Sequence, residues 1–200
     1  MTTFLLVRHA LCDPVGRSIA GRAAGVHLNE PGRAQAERLA ARLAAVRVDA
    51  IFSAPLERAR ETAAPLARQL GLEVRVVDAL GEIDFGEWTG CELPALSGQP
   101  PWTRFNTLRS IARIPAGESM LEVQARALAA VEDLRAALPE GQCVIVSHGD
   151  VIRGLIAHCA GIPLDLVLRL EISPASVSVI RITEHEISVR AVNVTEQLVP

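Results

Sequence analysis

The chain has 200 residues, half of them apolar, with 20 basic and 23 acidic side chains and a net charge of −3. That is enough apolar material for one sizeable core, and the mild acidity, without a run of like charges, argues against nucleic acid or an anionic membrane as a partner. All 20 basic residues are arginine and tyrosine is absent, a pattern that reads as genomic composition bias. The four cysteines (Cys12, Cys91, Cys143 and Cys159) are too scattered for a zinc site or a disulfide framework. No leader-like basic and apolar segment opens the chain, and no stretch is apolar for long enough to span a bilayer. A reducing, cytoplasmic home is the expectation.

Taken in order, the first apolar run, Phe4 to Val7, reads as a buried strand. Asn29 is a helix cap with Pro31 in the first turn, and Ala36, Leu39, Ala40 and Leu43 then fall on one face. "AIF" (Ala50 to Phe52) is a short strand ending at Ser53. Pro55 is expected to open a helix that runs to Leu70 and stops at Gly71, with Glu57, Arg60 and Glu61 on its solvated ion-pair face. "LEVRVV" (Leu72 to Val77) alternates as a strand. From Gly81 to Gly117 the pattern breaks into pieces containing Gly, Pro and both tryptophans, Trp88 and Trp102, which suits a substrate-facing excursion. Ser119 and Glu122 make a capping box for a helix whose stripe runs through Met120, Val123, Ala127, Val131, Leu134 and Leu138. "CVIV" is a continuous apolar strand, "VIRGLIAHCAG" a helix stopped by Gly161, and the tail a hairpin around Glu184 and His185. This alternation predicts one α/β domain over residues 1–200, a three-layer α/β/α sandwich around a mostly parallel sheet.

Chemistry collects at the carboxyl ends of the predicted strands, where ligands sit in open α/β sheets. The first strand delivers Arg8 and His9, the second Ser53 and then Arg58, the "CVIV" strand Ser147, His148 and Gly149, and "GEIDFGEWTG" places Glu82 on the same rim. Arginine forks and helix N-termini hold phosphate oxygens, and a neutral imidazole beside them can attack phosphorus. A leaving alkoxide then needs a proton, which Glu82 could supply if burial raises its pKa. The arginines and His148 would stabilise charge on the equatorial oxygens, so no metal or other cofactor is expected. Arg104 and Arg109 read as solvated charges, though they would suit a second anionic group on the substrate.

"LLVRHA", "SAPLERARETA", "GEIDFGEWTG" and "VIVSHGDVIR", in that order and over residues 3–183, together resemble the histidine phosphatase superfamily, whose fold is called phosphoglycerate mutase-like. The resemblance implies His9 as phosphoryl acceptor, Arg8, Arg58 and His148 as phosphate ligands, and Glu82 as proton donor. It further implies hydrolysis of a small-molecule phosphate monoester, with phosphoglycerate mutase-type transfer or a non-catalytic phospholigand-binding module as alternatives. In "LCDPVGRS" the family's usual polar phosphate contact is missing, and Ser18 or Arg22 could substitute. Ala10 stands where the family usually has glycine, and its methyl is expected close to the phosphate. A homodimer is compatible with the sequence, which does not fix the oligomeric state.

Overall fold

The three apolar runs that read as buried strands lie side by side in the middle of one sheet. The computed structural model describes residues 1–196, in which β1 (Thr2–Arg8), β2 (Ala50–Ser53), β3 (Val74–Val76), β4 (Gln142–Ser147), β5 (Val177–Ile182) and β6 (Ile187–Val194) take the order β3-β2-β4-β1-β5-β6. Neighbours from β3 to β1 are parallel, whereas β5 runs antiparallel to β1 and closes with β6 as the expected hairpin. Phe4, Leu6, Ile51, Val144, Ile145 and Val146 are fully buried. Strands covered on both faces show no polar alternation, and each such side chain stabilises the fold by about 1.5–3 kcal/mol as it leaves water.

Helices flank this sheet in two pairs, α1 (Glu30–Leu43) against α2 (Glu57–Leu70) and α5 (Met120–Ala137) against α6 (Gly149–Ala160), giving the three-layer sandwich. The Asn29 side chain caps α1 by accepting the Gly32 N–H, and Ala36, Leu39, Ala40 and Leu43 are buried as predicted. α5 starts on a complete Ser119–Glu122 capping box. Gly71 and Gly161, with φ of 65° and 67°, end α2 and α6 in the left-handed conformation that glycine adopts without strain.

Three local expectations are revised. α2 begins at Glu57 rather than Pro55, because Leu56 is still extended and its carbonyl is the first acceptor, taking the N–H groups of Ala59 and Arg60. The run Leu72 to Val77 contributes only Val74–Val76 to the sheet, since its single neighbour offers three partners, Ile51 to Ser53. The acids of α2 are not merely solvated: Glu57 accepts the Gly25 N–H and Glu61 accepts the Leu28 N–H, tying the loop after β1 to the helix.

The excursion from Gly81 to Gly117 folds into a 3-10 turn (Gly86–Trp88) and two short helices, α3 (Leu93–Leu96) and α4 (Pro100–Thr107). Both tryptophans pack, with Trp88 edge-on to Trp102 and Phe105 at centroid distances of 5.2 and 5.6 Å. β4 enters the sheet between β2 and β1, so the three carboxyl ends adjoin: Arg8 pairs in register with Ser147, and Ser53 with Val146. No helix among the described residues is long and apolar enough to cross a membrane.

Candidate active site

His9 is the first residue beyond β1, and its backbone is fixed from two sides. Its N–H donates to the Ser147 carbonyl at 2.8 Å; the next N–H, from Ala10, donates to Thr62 Oγ1 at 2.9 Å, and that hydroxyl in turn donates to the Arg58 carbonyl at 2.7 Å. His9 Nδ1 lies 2.8 Å from the Ala10 carbonyl. A carbonyl only accepts, so Nδ1 carries the hydrogen and Nε2 keeps a free lone pair. Burial, then the nearby Arg58 and Arg8 charges, push the His9 pKa down to about 3 against the opposing Ala10 bond. The ring is therefore neutral and nucleophilic at pH 7.

His148 follows β4 and is wholly buried, with its ring centroid 5.2 Å from that of His9. Burial first, then His9 and the arginines, hold its pKa well below the usual histidine value. Neither ring nitrogen has a hydrogen-bond partner, although Nδ1 lies 3.6 Å from Glu82 Oε2. Arg58 is 1% exposed; its Nη2 donates to the Gly21 carbonyl at 2.7 Å while Nη1 has no partner. Arg8 donates from Nη1 to the Ile172 carbonyl at 2.6 Å, and its Nε is also unpaired. Each buried unpaired polar group costs about 1–3 kcal/mol and charged groups more, so four such nitrogens gathered at one place make sense as the seat of a polar ligand. Arg8 on β1 and Arg58 on α2 are cationic, and His148 is the N-cap of α6, whose first turn carries no side-chain cap. An anion with several oxygens matches them.

Glu82 stands at the mouth, 14% exposed. Burial and then the Asp150 charge raise its pKa to about 7, against Arg58, Arg8 and the Ile83 N–H, which bonds Oε1 at 3.0 Å. Its main chain is clamped. Ser147 Oγ donates to the Leu80 carbonyl at 2.7 Å; Arg126 donates to the carbonyls of Ala79, Gly81 and Glu82 at 2.7, 2.8 and 3.1 Å; and Arg22 Nε donates to the Glu82 carbonyl at 2.8 Å. Glu118 binds both arginines and accepts the Asp84 N–H, locking the clamp.

The cavity over these groups holds about 360 Å³, the size of a small-molecule site. Arg8, His9, Arg58, Glu82 and Ser18 line it, whereas His148 sits behind them. Arg22 is not on the wall; its guanidinium is taken up by the Glu82 carbonyl and Glu118, so it braces the backbone of Glu82. The methyl of Ala10 does not line the cavity either: it packs with Leu28, Ala36 and Ala175 in a separate apolar cluster. That expectation treated the residue after His9 as facing the ligand, whereas its side chain turns towards α1. Thr62, Arg126, Asp150 and Arg153 were not singled out beforehand. Thr62 lay inside the quoted "RARETA", and Asp150 and Arg153, three apart at the start of α6, share a helix face next to His148, a spacing that could have flagged them.

The sequence profile described as "Histidine phosphatase superfamily (branch 1)" matches residues 4–195. Phosphoserine phosphatase 1 of Hydrogenobacter thermophilus is 31% identical over 199 residues, covering 98% of this chain and 93% of that one. Probable phosphoglycerate mutase GpmB of Photorhabdus laumondii is 31% identical over 182 residues, 89% of this chain and 84% of the other. Among solved structures, Bacillus stearothermophilus YhfR superposes with a TM-score of 0.92 at 28% identity, covering 98% of this chain and 99% of that one. With its sheet order, a cavity lined by Arg8, His9, Arg58 and Glu82 with His148 behind His9, and a profile match over nearly its whole length, the chain belongs to the histidine phosphatase superfamily.

Proposed function

We propose that this protein hydrolyses a small phosphate monoester through a phosphohistidine formed on His9. The observation that carries this is the His9 ring itself. It is neutral, its Nδ1 hydrogen is spent on the Ala10 carbonyl, and its Nε2 lone pair is free beside the unpaired donors of Arg8, Arg58 and His148. Nε2 attacks phosphorus and the ester P–O bond breaks; the carboxylic acid of Glu82 gives its proton to the leaving alkoxide. The resulting carboxylate then takes a proton from water, whose oxygen attacks the phosphohistidine, breaks the N–P bond and releases inorganic phosphate, restoring both side chains. The bond from Nδ1 to the Ala10 carbonyl stabilises the positive charge that the ring acquires while phosphorylated. Relatives named for phosphoserine and phosphoglycerate support a small phosphorylated substrate. Four free cysteines agree with a reducing, cytoplasmic home.

Turnover of p-nitrophenyl phosphate by pure protein in the presence of a chelator tests the proposal. Metal-independent release of phosphate is expected, and phosphate binding without turnover between pH 5 and 8 would leave only a binding module. Several relatives carry a mutase name, so the alternative of phosphoryl return to bound product is measured directly. Interconversion of 2- and 3-phosphoglycerate faster than hydrolysis would replace phosphatase with mutase.

A further inference from the structure

The cavity holds a second acid besides Glu82, and that acid is engaged in an ion cluster. Asp150, in the first turn of α6, accepts from Arg153 Nη1 at 3.0 Å and lies 3.1 Å from Arg109 Nη1, both on Oδ1. Arg109, just beyond α4, is 4% exposed, not solvated as its place in the excursion suggested, whereas Arg104 is exposed. Its Nη2 donates to Asn106 Oδ1 at 3.0 Å, and its Cζ stands 4.6 Å from the Phe105 ring centroid. Arg153 also donates from Nε to the Leu170 carbonyl at 2.9 Å. Burial alone would raise the Asp150 pKa, but Arg109 and then Arg153 outweigh it, so Asp150 is a carboxylate at pH 7.

Arg8, Arg58, Arg109 and Arg153 all face the cavity, and Glu82 and Asp150 are the acids on its wall. The cluster adjoins the phosphate end: a methyl group placed on Gly149 would meet Arg153 Nη1 at 3.3 Å and Arg8 Nε at 3.4 Å. The other titratable groups of the site carry no charge. His9 and His148 are neutral, the latter with Nδ1 3.6 Å from Glu82 Oε2, and burial keeps the Cys12 thiol protonated. Arg22 and Arg126 meet the Glu82 carbonyl and are both paired with Glu118. Buried charge without a counter-charge is costly, so four guanidinium groups in one cavity favour ionised acids beside them. A phosphate dianion on Arg8 and Arg58 balances those two. Arg109 and Arg153 remain, with Asp150 between them. Were Asp150 uncharged, Glu82 would be the acid left on the wall to oppose them, and a Glu82 carboxylate has no proton for a leaving alkoxide.

We propose that Asp150 is a positioning residue for the acid: as the standing counter-ion of Arg109 and Arg153 it spares Glu82 that role, and so keeps on Glu82 the proton that the leaving group needs. This rests on the phosphatase reading and adds a residue to the same site. Two details suit a charge-holding role better than a purely structural one. Both arginines meet the same oxygen, and Asp150 Oδ2 accepts no hydrogen bond among the described residues, so one edge of the carboxylate keeps its charge. Arg109 Nε is buried without a hydrogen-bond partner, and its Nη1 faces Asp150 outside hydrogen-bonding geometry. The contact is good in charge and poor in hydrogen bonding.

The test reads the pH at which Glu82 titrates in the ligand-free protein, from the carboxyl carbon of ¹³C-glutamate-labelled protein, with the signal assigned by its absence from Glu82→Gln. Alongside it runs the pH profile of kcat/KM on glycerol 3-phosphate, with p-nitrophenyl phosphate as the ester whose leaving group needs little protonation. The ester's own ionisation is common to all variants. Asp150→Asn keeps the shape and removes the charge. It should lower the Glu82 midpoint by about one pH unit and move the alkaline decline of kcat/KM down with it. Activity on glycerol 3-phosphate then falls about tenfold at pH 8 and little at pH 5, with a much smaller effect on p-nitrophenyl phosphate. Arg109→Gln, which leaves Asp150 with one arginine, should move both midpoints up. An unmoved Glu82 midpoint in Asp150→Asn, or an equal loss at every pH and on both esters, is what a merely structural role gives and would overturn the proposal. If Asp150→Asn does not fold, the Glu82 midpoint in Arg109→Gln decides: a rise supports the counter-ion role and no change overturns it. If the wild type hydrolyses neither ester, the phosphatase reading falls, while the carboxyl titration still decides whether Asp150 sets the protonation of Glu82.

Discussion

Replacing Glu82 by Gln separates its chemistry from its cost to the fold. The carboxyl group is buried beside Asp150, and its pKa rises from the ordinary 4.5 to about 7. Below pH 4.5 the group is protonated in both the folded and unfolded chains and has no pH-dependent effect. Between 4.5 and 7 the unfolded chain loses this proton first, so stability falls as pH rises, and above 7 the loss is complete. At about 1.4 kcal/mol per pH decade, the full loss is roughly 3 kcal/mol. Glutamine keeps the shape and stays neutral, so Glu82→Gln should gain stability relative to wild type progressively from pH 4.5 to 7 and hold that gain at pH 8. Urea denaturation at pH 4.5, 6 and 8 reads this directly. Over the same range kcat/KM of the variant should be down about 10²- to 10⁴-fold on esters with poor leaving groups, the usual worth of a general acid, and much less on p-nitrophenyl phosphate, whose leaving group needs little protonation. In the wild type, kcat/KM should decline as pH rises through about 7. A stability difference that does not change with pH, or a variant as active as wild type on alkyl phosphates, would refute the assignment of Glu82 as a buried acid.

Arg126→Met removes the hydrogen bonds to the carbonyls of Ala79, Gly81 and Glu82 and leaves Glu118 with Arg22 and the Asp84 N–H. It should lower kcat about tenfold with little change in KM, and cost about 1–3 kcal/mol in urea denaturation; a KM effect with intact kcat would mean that Arg126 contacts substrate instead. Ala10→Gly should leave kcat/KM within about twofold, because the methyl packs against Leu28, Ala36 and Ala175, while lowering stability by about 1 kcal/mol through lost burial and added chain freedom. A large change in KM for that variant would return Ala10 to the phosphate seat.

The fold was legible where a local pattern had a local cause. The apolar runs of β1, β2 and β4 could be read because strands buried on both faces tolerate nothing polar, and the residues that follow them had to emerge at the sheet's carboxyl edge. That is why Arg8, His9, Arg58 and His148 could be placed close together from the sequence. Glu82 was placed on the same rim, but not the clamp that aims it, because Arg126 and Glu118 reach it from the far end of the excursion and from α5. Arg109 was misread as solvated for a similar reason. Its burial depends on the segment after α4 docking on the 3-10 turn Leu164–Arg169, where Asp165 accepts the Ser110 N–H at 2.7 Å and its hydroxyl at 3.0 Å, a contact 55 residues away in the chain. Arg22 was credited with a ligand because its loop follows the nucleophile, but a loop's position does not reveal which carbonyl its side chain will find. The shortened β3 and the late start of α2 are likewise set by the neighbouring strand and by Leu56, not by propensity.

The central claim is that His9 carries the phosphoryl group. Protein quenched during turnover of a ³²P-labelled monoester should hold an acid-labile, base-stable label confined to the peptide containing His9, and the label and turnover should both be absent from His9→Ala. Label on any other residue, or steady turnover by folded His9→Ala protein, would contradict the account.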